Sequence, residues 1–136
     1  MTLTTHATLG AVIGQATGNP VLGFALAFAT HLLIDMVPHG DTGMSDNFRI
    51  HKRNQKLAVA YVAVDAVVAI AFVLLLANTR DIQSMTNFTW GIVGGILPDF
   101  LVGVYEITKT PLLRWFYRVH FFFHDFLVKR RGEVPR

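Results

Sequence analysis

The chain has 136 residues, 52% of them apolar and 15% charged, with a net charge of +3 and no cysteine. That length holds one domain, residues 1–136, and the missing thiols exclude disulfides and thiolate metal sites. The charged fraction falls well below the roughly one quarter of an average soluble domain. This is the composition of a chain that faces lipid, or of an unusually apolar soluble bundle.

The first apolar run, Leu3–Thr17, ends at the turn signal Gly18-Asn19-Pro20. Gly10, Gly14 and Gly18 recur at four-residue spacing. In a soluble helix each would cost about 1 kcal/mol, whereas in a membrane helix such a stripe lets a neighbouring backbone approach closely. The neighbour is a helix of the same chain or of a second copy, so a homo-oligomer is among the expectations. Gly18 also suits a helix C-cap.

The second run, Val21–Val37, is ended by Pro38 and forms a tight hairpin with the first. A polar loop, His39–Gln55, follows. The third run, Lys56–Ala77, has the length of a membrane span and one interruption, Asp65. Asp65 is read as a hydrogen-bond partner for Gln15 or Thr30, as a deep ligand, or as a residue that supports a ligand from behind. A loop over Asn78–Asn87 leads to the fourth run, Phe88–Ile107, which is expected to break at Pro98-Asp99 because proline removes a backbone donor. The last segment, Pro111–Val128, alternates basic and aromatic residues and reads as an amphipathic helix at the membrane surface.

The predicted fold is all-α: a four-helix transmembrane bundle plus a C-terminal amphipathic aromatic helix. Lysine and arginine concentrate in the loop after the second run and in Lys129-Arg130-Arg131. The positive-inside rule then puts both termini in the cytoplasm of a multi-pass inner-membrane protein. The basic blocks lack the aromatic platform or groove-reading motif of a nucleic-acid binder, so no nucleic-acid partner is expected.

This topology gathers polar residues at one face. His6 starts the first helix, and His31 and Asp35 end the second. His39 and Asp41 follow in the loop, Asp99 lies on the returning half of the fourth helix, and His120 and His124 lie on the last. His31-x3-Asp35 puts an imidazole and a carboxylate on one helical face, and His120-x3-His124 two imidazoles, each pair about 5–6 Å apart at Cβ, which suits a shared cation. Without thiols, that cation must be held by imidazole and carboxylate. Asp125 faces elsewhere or orients a histidine from behind. His51 reads as an ordinary surface residue.

The segments His31-Leu-Leu-Ile-Asp35-Met-Val-Pro38-His39-Gly-Asp41, Leu97-Pro98-Asp99 and His120-x3-His124 resemble those of the small membrane-bound metal-dependent hydrolases. They are distantly similar to the helical zinc phospholipase C class. The resemblance implies a divalent metal, foremost zinc, and hydrolysis of an ester or phosphodiester, with a membrane lipid or lipid-linked molecule as substrate. It implies His31, Asp35, His120 and His124 as metal ligands, His6 and His39 as completing the site or binding a second ion, and Asp41 or Asp99 as general base. The competing readings are a non-enzymatic metal-binding or transport protein, with Asp65 and Asp99 along its path, a structural membrane protein built on the glycine stripe, and a soluble helical bundle.

Overall fold

A computed structural model describes residues 1–37 and 55–127. Among these residues the protein is all-helical: α1 (Leu3–Thr17), α2 (Pro20–Ile34), α3 (Gln55–Thr79), α4 (Met85–Thr108) and α5 (Pro111–His124), with no strand. Local chemistry sets most ends. The Thr2 hydroxyl accepts from the Thr5 amide to open α1, and Gly18 closes it with φ 63°, a left-handed conformation that glycine adopts without strain. The Asn19 side chain then accepts from the Val21 and Leu22 amides, and Pro20 takes the first position of α2, where a missing N–H is harmless. Ser84 caps α4 through the Asn87 amide.

Two boundaries differ from the sequence expectation. The fourth run does not break at Pro98-Asp99, because α4 runs through Pro98 without interruption. Pro98 is fully buried, so neighbouring helices hold the turn in place. The loop before α4 is also shorter, since the Ser84 cap starts the helix at Met85.

α1 is the hub, packing against α2, α3 and α4. It meets α4 through facing glycines. A methyl added at Gly91 would strike the Gly10 carbonyl and lie 2.8 Å from Cα of Gly14, and one at Gly95 would strike the His6 carbonyl. Gly94 meets the backbone of Phe24 on α2 in the same way. The stripe therefore serves backbone approach within one chain, with Gly10 and Gly14 taking part. Gly18 has nothing within 4 Å of an added Cβ and acts only as the cap. The contacts Gly10–Gly91 and His6–Gly95 show that α4 runs antiparallel to α1.

Two helices, Val59–Thr79 within α3 and Met85–Thr108, are long and apolar enough to cross a membrane. α1 and α2 have 15 residues each, about 22 Å at 1.5 Å per residue, against a hydrocarbon core of about 30 Å. The four-span expectation is thus supported for two helices only, with α1 and α2 as a shorter hairpin beside them. Among the described residues α3 packs on α1 alone, and it leaves Val59, Val62, Val64, Val67, Ile70, Leu74 and Leu75 exposed. α5 turns back at Lys109 and runs antiparallel to the end of α4, as the ring contact of Tyr105 with Tyr117 (4.5 Å) and the approach of Asp99 to His120 (3.7 Å) both show.

Candidate metal centre

The interior is unusual in what it buries. Among the described residues its buried apolar side chains are four alanines, Phe88, Pro98 and Phe116, whereas His6, His31, Asp35, Asn87, His120, His124 and Asp125 are all buried. Burying ionisable groups is costly unless they pair or share a cation, so this polar centre needs a chemical explanation.

Four residues from three helices converge. His31 and Asp35 lie one turn apart at the end of α2, Asp99 follows Pro98 on α4, and His120 reaches in from α5. The four contribute ligand atoms that all lie within 4.8 Å of one another. His31 Nε2 lies 3.3 Å from Asp35 Oδ2 and 3.4 Å from Asp99 Oδ1. His120 Nε2 lies 3.8 and 3.7 Å from the same two oxygens. Tetrahedral ligands at about 2.1 Å from a zinc ion stand about 3.4 Å apart, so these four spacings lie near a tetrahedral edge, within a group that spans up to 4.8 Å.

The hydrogen bonding points the same way. His31 Nδ1 is 2.7 Å from the Gly95 carbonyl. A carbonyl only accepts, so Nδ1 carries a proton and Nε2 faces the carboxylates. That buried Nε2 has no hydrogen-bond partner. It stands almost equally far from two carboxylate oxygens, in hydrogen-bond alignment with neither. A divalent cation between two imidazole nitrogens and two carboxylates would satisfy all four atoms and balance the two negative charges.

His6 lies beside this group and acts on it indirectly. Its Nε2 is 3.0 Å from Asp35 Oδ1, the oxygen turned away from His31, and its ring stacks on His31 at 3.8 Å. The amino group of Met1 reaches the same oxygen at 2.7 Å. Asp35 is thereby held on one oxygen and presented on the other, the usual arrangement behind a metal-binding carboxylate. His124 also stays outside the four. Its ring centre is 6.2 Å from that of His120, and its Nδ1 lies 3.4 Å from Asp125 Oδ1, which places Asp125 behind a histidine. His39, Asp41 and His51 fall outside the described residues.

His120 is enclosed by Phe116, Phe121 and His31. Burial pushes its imidazole down from 6.5 to about 4, outweighing the nearby Asp99 and Asp35 carboxylates. It is therefore neutral at pH 7, as a metal ligand must be. Asp99 is the open member, with a side chain 33% exposed while those of His31, Asp35 and His120 are at most 3% exposed. The group is open from that side.

Asp65 meets neither Gln15 nor Thr30. It accepts from the Leu3 amide at 2.5 Å, the Thr4 amide at 3.4 Å and the Thr4 hydroxyl at 2.8 Å. Gln15 instead clamps the turn before α4, donating to the Ser84 carbonyl and accepting from the Gln83 amide. Sequence reading missed two supporting roles, the Gly95 carbonyl that sets the His31 tautomer and the Asp65 cap on α1. The signal for the second was present: a lone carboxylate in an otherwise uncharged span.

Fold and site together define an all-helical protein with two helices of membrane-crossing length and a buried two-histidine, two-aspartate group able to hold a metal ion. Comparison with family models, curated proteins and solved structures finds no match to this chain.

Proposed function

We propose that this chain is a membrane-embedded, metal-dependent hydrolase that cleaves an ester or phosphodiester, with a lipid or lipid-linked molecule as its substrate. The observation that carries the reading is the His31–Asp35–Asp99–His120 group, whose ligand atoms all lie within 4.8 Å of one another and into which the buried His31 Nε2 is turned without a hydrogen-bond partner. Nitrogen and oxygen donors at these spacings favour zinc. A bound divalent ion would lower the pKa of water toward about 7 and polarise the scissile group.

The remaining work falls to the protein's own residues. His31, His120 and Asp35 hold the ion from the buried side. His6 fixes the Asp35 carboxylate. Asp99, at the open edge, is placed to take the proton of the attacking water. Asp41 is the alternative base from sequence. A membrane substrate is supported by depth: Asp65, level with the first turn of α1 and so with His6, lies six residues inside the apolar stretch that starts at Val59, about 9 Å along the helix. A transport path would employ Asp65 as a ligand, and its engagement with α1 counts against that reading.

The test is metal analysis of detergent-purified protein with hydrolysis assayed on carboxyl-ester and phosphodiester substrates. Wild type is expected to hold about one ion per chain, and His31→Ala combined with His120→Ala to hold almost none and lose hydrolysis. Equal metal in both proteins would remove the site. Loss of metal with hydrolysis unchanged, or none in loaded wild type, would turn the reading to transport or structure.

A further inference from the structure

We infer that Asp65 is a positioning residue for the metal group, acting through the first turn of α1 and His6. This rests on the metal reading above and extends it to a residue outside the four. An aspartate within an apolar span is costly on insertion scales, so its presence there calls for a compensating role. α1 has no acidic residue in its first turn, and the first amides of a helix are otherwise without acceptors. Asp65 supplies that charge from the neighbouring helix. One carboxylate oxygen takes the Leu3 amide, and the other takes the Thr4 hydroxyl and approaches the Thr4 amide.

The chain of contacts is short. Two residues after Thr4, His6 holds Asp35 Oδ1 at 3.0 Å and stacks on His31 at 3.8 Å. Asp35 Oδ2 faces the metal group. α3 packs on α1 alone among the described residues, so this bond is the polar link by which α3 sets the position of that first turn. A carboxylate matches the position because it offers two oxygens to three donors. Asparagine has one carbonyl oxygen and would turn an N–H group toward a donor.

The experiment is Co²⁺ titration of detergent-solubilised protein, following the visible absorption that reports ligand geometry. Wild type, Asp65→Asn, Asp65→Glu, His6→Gln and the Asp65→Asn/His6→Gln double variant are compared. Loss of an outer partner of a metal ligand weakens metal binding about 10–100-fold. Asp65→Asn is expected to weaken Co²⁺ about tenfold and shift the absorption bands, and Asp65→Glu to restore most of both. The double variant is expected to bind no more weakly than His6→Gln alone, because both changes act on one path. Amide exchange at Leu3 and Thr4 is expected to quicken in Asp65→Asn. Unchanged Co²⁺ binding in Asp65→Asn, or losses that multiply in the double variant, would overturn the positioning role while leaving the metal site standing. A wild type that binds no Co²⁺ would overturn both.

Discussion

At the scale of single residues, the protonation of His120 links the site to pH. Its imidazole is neutral when folded and titrates at about 4, against 6.5 as an ordinary histidine. A lowered histidine pKa means that the unfolded chain takes up the proton first as pH falls. The stability tied to this residue is whole above pH 6.5 and drains away between 6.5 and about 4. For the metal-free protein this amounts to about 2 kcal/mol lost by pH 5. Denaturant unfolding in micelles is compared at pH 8 and pH 5 in wild type, whose pH difference also carries the other buried groups of the site. His120→Gln, which cannot titrate, should reduce the difference by a similar amount. The His31-x3-Asp35 segment was legible as a ligand pair because a four-residue spacing fixes a shared face, whereas of His120-x3-His124 only His120 joins the four. The division of labour was less legible: His6 and His31 carry the same ring, and only the Asp35 oxygen each one faces separates support from ligand.

At the scale of elements, the contact between α1 and α4 is decided by glycine. Gly91→Ala would drive a methyl into the Gly10 carbonyl and Gly14, both backbone groups with no rotamer to yield. Overpacking a tight interface costs about 1–3 kcal/mol, and this interface holds His6 opposite Gly95. Gly91→Ala should therefore lower thermal stability in detergent and weaken metal binding together. Gly103→Ala on the same helix meets nothing within 4 Å and should be neutral or stabilising by up to about 1 kcal/mol. Equal effects of the two would mean that the close approach of α1 and α4 is not a stabilising contact. The continuity of α4 through Pro98 also belongs to this scale. A proline marks a lost hydrogen bond in the sequence, but whether the helix ends there depends on what packs around it. Here Pro98 is buried and its neighbour Asp99 joins the metal group.

At the scale of the whole molecule, the surface of α3 is the main fact. A helix with nine valine, leucine and isoleucine side chains exposed at 50% or more would be a poor surface in water, where large contiguous apolar patches are rare. The protein is expected to stay in the membrane fraction through high-salt and alkaline washing and to require detergent for release. Recovery in the soluble fraction after such washing would return it to the class of soluble helical bundles. Within the molecule the two long helices differ in role: α4 carries Gly91, Gly95 and Asp99 into the centre, whereas α3 touches the rest through α1.

The sequence by itself determined the helical class, the order of the elements and the types of ligand. Apolar runs, glycine and proline punctuation and the absence of cysteine act through local geometry and elementary chemistry, and these need no knowledge of which helix lies beside which. It could not decide which of the dispersed imidazoles and carboxylates meet, that His6 turns to the outer oxygen of Asp35, or that Asp65 serves α1. Those outcomes depend on how closely the backbones approach and how far each helix is rotated. Both are set by the joint packing of α1, α2, α4 and α5, and so exist only in the folded chain.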